Sequence, residues 1–134
     1  RAMIKVIKEY EHLPFIRTYK SIPHEDYLSL LQHSSILIGN SSSGIIEAPS
    51  FGIPVVNIGS RQKGRQRGNN VIDVGYNRLE ISDAIKIGLN DEKFREIVNI
   101  KYNPYGDGTS GERIARVLYS LPVNDEVLQK RITY

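Results

Sequence analysis

The sequence contains no cysteine, so it can form neither a disulfide framework nor a reactive thiolate. It has no run of 18 or more apolar residues, which a transmembrane helix would need. No secretory signal pattern occurs at its start. From these absences we expect a cytoplasmic protein with no membrane partner.

The sequence is also poor in features of nucleic-acid and metal binding. Its 18 basic and 15 acidic residues leave a net charge of only +3, which is too small to indicate a nucleic-acid partner. The three histidines, at positions 12, 24 and 33, do not cluster, and none has metal-ligand spacing with another His, Asp or Glu. We therefore expect neither a nucleic-acid partner nor a metal site.

The 134 residues have the length of one domain, in which short apolar segments alternate with helical patterns. The pattern predicts strands near Phe15–Tyr19 and in "SSILIG", "IPVVNIG" and "NVIDVG", with helices before, between and after them. Such alternation indicates an α/β fold, a parallel sheet covered by helices on both faces. The first helix, "RAMIKVIKEYEH", has no cap, so we expect residues of a longer chain to precede Arg1. One more short helix is predicted after Pro122.

The segment "GNSSSG" follows a predicted strand and opens a helical pattern. Gly39 permits an unusual backbone turn, the serines supply hydroxyls, and a helix start supplies free N–H groups. Together these groups can form a cradle for an anion, most naturally phosphate. A plain capping turn explains the same residues equally well, because serine and asparagine are good caps.

Two further segments carry charges that fit a nucleotide. Glu47 lies one helical turn past Ser43 and could accept hydrogen bonds from a sugar diol, although an exposed helical glutamate is the simpler interpretation. The loop "SRQKGRQRG" contains Arg61, which lies nearest to the strand end and could bind phosphate with two donors. A solvated loop explains that charge run too. Ligands of parallel sheets bind outside the carboxyl ends of the strands, where both loops belong.

The remaining motif, "NPYGDG", places Asp107 between two glycines, which fits either a tight turn or a site. No base is evident that could activate Ser41, Ser42 or Ser43 as a nucleophile. The residues alone therefore predict anion binding without acid–base catalysis.

Two stretches, "GNSSSGIIEAPSFGIPVVNIGSRQKGR" and "NPYGDGTSGERIARVL", resemble the C-terminal half of UDP-N-acetylglucosamine 2-epimerases, most closely the hydrolysing type. The resemblance implies that residues 1–134 form a C-terminal, UDP-binding, Rossmann-like domain. This domain would be one half of the two-domain fold of B-type glycosyltransferases and glycogen phosphorylase (GT-B). It implies that Ser41 and Ser42 contact the diphosphate, Glu47 the ribose hydroxyls and Arg61 the phosphates. The backbone near Ile22 would contact the uracil.

The resemblance also implies a reaction: a UDP-sugar loses UDP, and N-acetylmannosamine is released for the synthesis of sialic or other nonulosonic acids. The substrate is either UDP-N-acetylglucosamine or a diacetamido relative, and no cofactor is needed. The acid–base residues belong to an N-terminal half, so we expect no catalytic residue in this chain and no activity without that half. The full-length protein is expected to be a homo-oligomer.

Three alternatives stay open at this point. The chain could belong to a UDP-sugar-dependent GT-B glycosyltransferase, to a non-hydrolysing UDP-N-acetylglucosamine 2-epimerase, or to a UDP-sensing domain without catalysis.

Overall fold

The computed structural model describes residues 2–122 of the chain. Within that range it contains three strands and seven helices. In chain order the elements are α1 (Ala2–Tyr10), α2 (His24–Gln32), β1 (Leu37–Gly39), α3 (Ser43–Ile46), α4 (Ala48–Phe51), β2 (Val55–Ile58), β3 (Val71–Val74), α5 (Arg78–Asn90), α6 (Glu92–Asn99) and α7 (Ser110–Ser120).

The three strands form one parallel sheet in the order β1-β2-β3. Leu37 lies opposite Val55, and Val55 lies opposite Val71. The central strand β2 is buried, whereas Ile38 in β1 is 44% exposed. The predicted parallel sheet is confirmed, and β1, which pairs on one side only within the described residues, is less buried than β2.

Helices cover both faces of the sheet, as two close approaches at glycines show. A Cβ atom added at Gly44 in α3 would lie 2.7 Å from Val55, and one added at Gly88 in α5 would lie 2.7 Å from Ile36 and 3.4 Å from Pro54. Adjacent residues of an extended segment point to opposite faces, so the contacts with Val55 and Pro54 belong to different sides. Helices α3 and α5 therefore pack on opposite faces, which confirms the predicted α/β fold.

The hydrophobic core lies between the sheet and helices α2 and α4. Its buried members are Leu31, Ala48, Ile53 and Val55, with Tyr27, Leu37, Phe51 and Val71 packed against them. This packing fixes α2 and the α3–α4 segment relative to the strand ends that carry the site.

The prediction of a strand near Phe15–Tyr19 is wrong. No strand forms there: Phe15 is 79% exposed and Tyr19 is 64% exposed. Within the segment the Arg17 guanidinium donates to the carbonyl oxygens of Pro14 and Ile16, each at 3.0 Å. A β-branched and aromatic composition produces a strand only where a neighbouring strand supplies a hydrogen-bonding ladder, and no strand between residues 2 and 122 pairs with these residues.

Two other sequence predictions concern helices. The single helix predicted over "SGIIEAPSFG" is two short helices, α3 and α4, separated at Glu47. The helix predicted after Pro122 lies outside the described residues. None of the helices between residues 2 and 122 is both long and apolar enough to cross a membrane.

Candidate functional site

Two loops meet at the carboxyl edge of the sheet. The serine loop, residues 40–42, follows β1, and the basic loop, residues 59–69, follows the adjacent parallel strand β2. Gly39 has φ +142°, a backbone conformation that L side chains rarely adopt, and it turns the chain out of β1. Gln62 of the basic loop is only 2% exposed, and its Nε2 donates to the carbonyl oxygen of Asn40 at 2.7 Å. The two loops are therefore joined directly.

The three serines of the motif have different environments. Ser43 is buried, and its Oγ accepts a hydrogen bond from the Tyr27 hydroxyl at 2.7 Å. Ser41 is exposed and Ser42 is half-buried. The Ser41 Oγ accepts a long bond of 3.3 Å from the Ser43 N–H, which leaves its own hydroxyl proton free to donate. Ser43 therefore holds α2 against α3, and Ser41 keeps a donor for a ligand.

The expectation of free N–H groups at the helix start is wrong. The N–H groups of Gly44, Ile45 and Ile46 donate to the carbonyl oxygens of Ser41 and Ser42, at 2.9–3.3 Å. Helix α3 has only four residues, so these bonds consume its first amides. An anion at this loop would depend on the serine hydroxyls and on a neighbouring cation instead.

Glu47 lies at the break between α3 and α4. Its side chain is half-buried, and its Oε2 is buried without a hydrogen-bond partner among residues 2–122. Burying a carboxylate oxygen without a hydrogen-bond donor costs free energy. A hydroxyl group that donates to this carboxylate would offset part of that cost. Glu47 is thus a half-buried acceptor with unused capacity, and not the exposed helical glutamate of the simpler interpretation.

The cations of the basic loop divide into two kinds. The Arg67 Nη1 donates to both carboxylate oxygens of Asp73 at 2.5 Å, and its Nη2 donates to the Gln62 carbonyl oxygen at 2.6 Å. Asp73 also accepts from Asn57 Nδ2 at 2.7 Å. These contacts commit Arg67 to holding the loop on β2 and β3. Arg61 is exposed at the start of the loop.

A cavity of about 600 Å³ opens beside the basic loop, at the carboxyl ends of β2 and β3. Its walls carry charged, small and aromatic residues, among them Ser60, Lys63, Arg65, Arg67 and Tyr76. Ser41, Ser42, Glu47 and Arg61 are not part of its lining. The cavity is therefore lined by the basic loop and by residues of β2, β3 and the loop after β3, and it contains none of the predicted binding residues.

Ile22 lies apart from that cavity. It is half-buried and lines a separate hollow of about 390 Å³ together with Tyr19, Pro23 and Asp26. Ile22 precedes α2, and the Tyr27–Ser43 hydrogen bond connects α2 to α3, which directly follows the serine loop. The structure thus brings Ser41, Ser42 and the loop of Arg61 together, and links Ile22 to them through α2.

The "NPYGDG" segment forms a turn before α7. Asp107 Oδ1 accepts from the Thr109 N–H at 3.0 Å and from the Thr109 hydroxyl at 2.7 Å, and Asp107 Oδ2 accepts from Arg113 at 2.6 Å. These bonds, the Thr109 hydroxyl first and then the Thr109 N–H and Arg113, lower the pKa of the exposed Asp107 carboxyl from 3.8 to about 2. The turn interpretation of Asp107 is confirmed by these contacts.

Sequence reasoning missed the residues that hold the site together: Tyr27, Gln62, Arg67 and Asn103. Arg67 was visible only as one charge in a run, and Gln62 as a polar residue inside that run. Their contacts span 5 to 57 positions in the sequence, so spacing gave no signal for the distant ones. In the part of the chain described, no group of three or more His, Cys, Asp or Glu side chains could hold a metal ion.

Comparison with known proteins identifies the family. The family model described as UDP-N-acetylglucosamine 2-epimerase matches residues 1–119. The chain belongs to the UDP-N-acetylglucosamine 2-epimerase family, which confirms the resemblance drawn from the serine and "NPYGDG" motifs.

Individual relatives include hydrolysing enzymes. The chain is 41% identical over 131 residues to a UDP-N,N'-diacetylbacillosamine 2-epimerase (hydrolyzing) of Legionella pneumophila, covering 97% of this chain and 33% of that protein. It is 34% identical over 130 residues to a UDP-N-acetylglucosamine 2-epimerase of Neisseria meningitidis, covering 97% of this chain and 34% of that protein. It is 49% identical over 96 residues to the polysialic acid biosynthesis protein P7 of Escherichia coli, covering 68% of this chain and 24% of that protein. The chain thus spans between about a quarter and a third of the length of these relatives.

Proposed function

We propose that this chain is the UDP-binding part of a hydrolysing UDP-sugar 2-epimerase. The observation that carries the proposal is the junction of the serine loop and the basic loop through Gln62 at the carboxyl edge of a parallel sheet. That edge is where α/β proteins bind nucleotides. Relatives whose names include the word hydrolyzing support the subtype.

Each binding residue has a chemical role in the proposal. The hydroxyls of Ser41 and Ser42 donate to the diphosphate, and the exposed Arg61 neutralises part of its charge. Glu47, whose side chain is half-buried at the break between α3 and α4, accepts the ribose hydroxyls with its carboxylate. The backbone near Ile22 contacts the uracil edge. The substrate is UDP-N-acetylglucosamine or a diacetamido relative.

In the proposed reaction UDP is eliminated across C1 and C2 of the sugar, which breaks the C1–O bond and leaves a glycal. Addition of water to the glycal gives the free 2-epimeric sugar, N-acetylmannosamine when the substrate is UDP-N-acetylglucosamine. Negative charge develops on the departing diphosphate, and donors already in place for that charge stabilise the transition state. The proton transfers are assigned to a part of the enzyme other than this chain, so this chain alone is proposed to be inactive. In this account the full-length enzyme is cytoplasmic and a homo-oligomer.

The products distinguish this function from its alternatives. We expect the polypeptide of the complete gene to convert UDP-N-acetylglucosamine, or its diacetamido relative, into free UDP and a free sugar, which phosphorus NMR and sugar chromatography detect. A non-hydrolysing epimerase would instead yield a second UDP-sugar. A glycosyltransferase would consume the UDP-sugar only when an acceptor is added, and a sensing domain would bind UDP without turnover. Any of these three results would contradict the proposal.

A further inference from the structure

Asn103 contacts the segment that carries Glu47 across a long stretch of sequence. Its Nδ2 donates to the carbonyl oxygen of Ile46 at 2.8 Å and to Ser50 Oγ at 2.7 Å. Its Oδ1 accepts from the Tyr105 N–H at 2.9 Å. Both donors and the acceptor of the amide are therefore used. The two partners of Nδ2 flank Glu47 on either side.

The bond from Asn103 gives the Ile46 carbonyl oxygen a donor in place of the backbone N–H that a continuous helix would supply. In a continuous helix the Ile46 carbonyl would accept from the Ser50 N–H, four residues later. The Ser50 N–H instead donates to the Glu47 carbonyl at 3.1 Å. Pro49, which has no N–H, breaks the helix at the same place. Asn103 thus satisfies the carbonyl that the break leaves open, and the break is where Glu47 sits.

The same segment also contacts the basic loop. The Tyr105 hydroxyl donates to the Gln66 carbonyl oxygen at 2.9 Å. Residues 103–105 therefore bridge the Glu47 segment and the basic loop, which also carries Arg61. Such contacts to groups that bind a ligand are the usual means of fixing a binding side chain in one orientation.

We propose that Asn103 is a positioning residue for Glu47, holding the α3–α4 break so that the carboxylate can accept from the ribose hydroxyls of a nucleotide. This inference rests on the proposed function, in which Glu47 accepts the ribose hydroxyls. It adds to that function a residue outside the binding loops, which acts through the carbonyl of Ile46 and touches no ligand.

The test compares UDP with 2′-deoxy-UDP by calorimetry, in the unsubstituted chain and in Asn103→Ala. Loss of one ligand hydroxyl that donates to a carboxylate is expected to weaken binding about tenfold in the unsubstituted chain. In Asn103→Ala the ratio of the two affinities should fall to about one to three, because Glu47 is no longer held toward the 2′-hydroxyl. Asn99→Ala, an exposed asparagine at the end of α6, is the matched control and should keep the tenfold ratio.

A general loss of structure would give a different result. If Asn103→Ala weakened both ligands by the same factor and kept the ratio, or changed neither affinity, the positioning role would be contradicted while the proposed function stood. If neither the unsubstituted chain nor the polypeptide of the complete gene bound UDP, the proposed function itself would fail, and this inference with it.

A second measurement does not depend on a variant that folds. The side-chain amide signals of Asn103 in nitrogen-15 NMR of the unsubstituted chain should shift when UDP is added, and shift less with 2′-deoxy-UDP. Equal shifts with both nucleotides, or none with either, would contradict the inference.

Discussion

The carboxylate of Asp107 accepts two hydrogen bonds from Thr109 and one from Arg113, and these bonds lower its pKa to about 2. A carboxyl whose pKa is lower in the folded state stabilises that state above its ordinary pKa of 3.8. Its contribution is lost as the pH falls from about 4 toward 2, because the protonated carboxyl no longer accepts these bonds equally well. The turn before α7 should therefore loosen in acid.

The variant Thr109→Val tests this cause directly. It removes the hydroxyl donor, the largest contributor, so we expect the pKa of Asp107 to rise toward 3.8. Carbon-13 NMR titration of the Asp107 carboxyl measures the change. Arg116→Ala, which removes an arginine of the same helix that pairs with Glu112 instead, should leave the Asp107 titration unchanged. An Asp107 pKa near 2 in Thr109→Val would contradict the assignment.

At the scale of single residues, the sequence identified candidate side chains but did not distinguish their roles. Glu47 and Asp107 were both ambiguous, and only the structure separates them: Glu47 Oε2 lacks a partner among residues 2–122, whereas Asp107 forms a turn. Arg61 and Arg67 lie six positions apart in one charge run, but Arg67 pairs with Asp73. The pairing of a loop arginine with an acid in the following strand cannot be derived from the spacing of charges within the loop.

At the scale of elements, the approach of α3 to the sheet depends on Gly44. A Cβ atom at this position would lie 2.7 Å from Val55 Cγ1, closer than side-chain carbons pack, and Val55 is itself buried in the central strand. We expect Gly44→Ala to lower the free energy of unfolding by about 1–3 kcal/mol through overpacking. Urea unfolding followed by circular dichroism measures this change.

Gly111→Ala provides the control for that substitution. Gly111 lies in the first turn of α7 and is exposed, and an added Cβ meets nothing within 4 Å. Alanine has a higher helix propensity than glycine, so this variant should be neutral or up to about 1 kcal/mol more stable. Equal destabilisation by both substitutions would show that the close contact at Gly44 is not the cause.

Elements with strong local signals were predicted well. The three strands of the sheet and helices α2, α5, α6 and α7 lie where their hydrophobic patterns placed them. The prediction of a strand near Phe15–Tyr19 is wrong. The local composition favours a strand, but no strand between residues 2 and 122 pairs with this segment. The break between α3 and α4 was missed because Pro49 was interpreted as the end of one helix and not as the first turn of a second.

At the scale of the whole molecule, the parallel order β1-β2-β3 brings loops from distant parts of the sequence to one edge. The sequence predicted that meeting from the alternation of strands and helices, because parallel strands end at a common edge. It did not predict that Ile22 lies at a separate hollow, because the path of residues 11–23 follows no regular pattern. The chain spans at most about a third of the relatives described above, so the proposed catalytic step calls for residues beyond it.

The central claim, that the joined loops bind a UDP group, is tested most directly by calorimetric titration with UDP. The titration compares the unsubstituted 134-residue chain with Arg61→Ala and Glu47→Ala, and is repeated on the polypeptide of the complete gene. Arg116→Ala and Glu96→Ala, both exposed on other helices, are the matched controls.

We expect the unsubstituted protein to bind UDP and each site variant to lose about 1.5–3 kcal/mol, roughly ten- to a hundredfold in affinity, because each removes a hydrogen bond to a charged group. The two controls should bind as the unsubstituted protein does. Absence of UDP binding by both polypeptides, or binding that neither Arg61→Ala nor Glu47→Ala weakens, would contradict the claim and leave the serine segment as a capping turn.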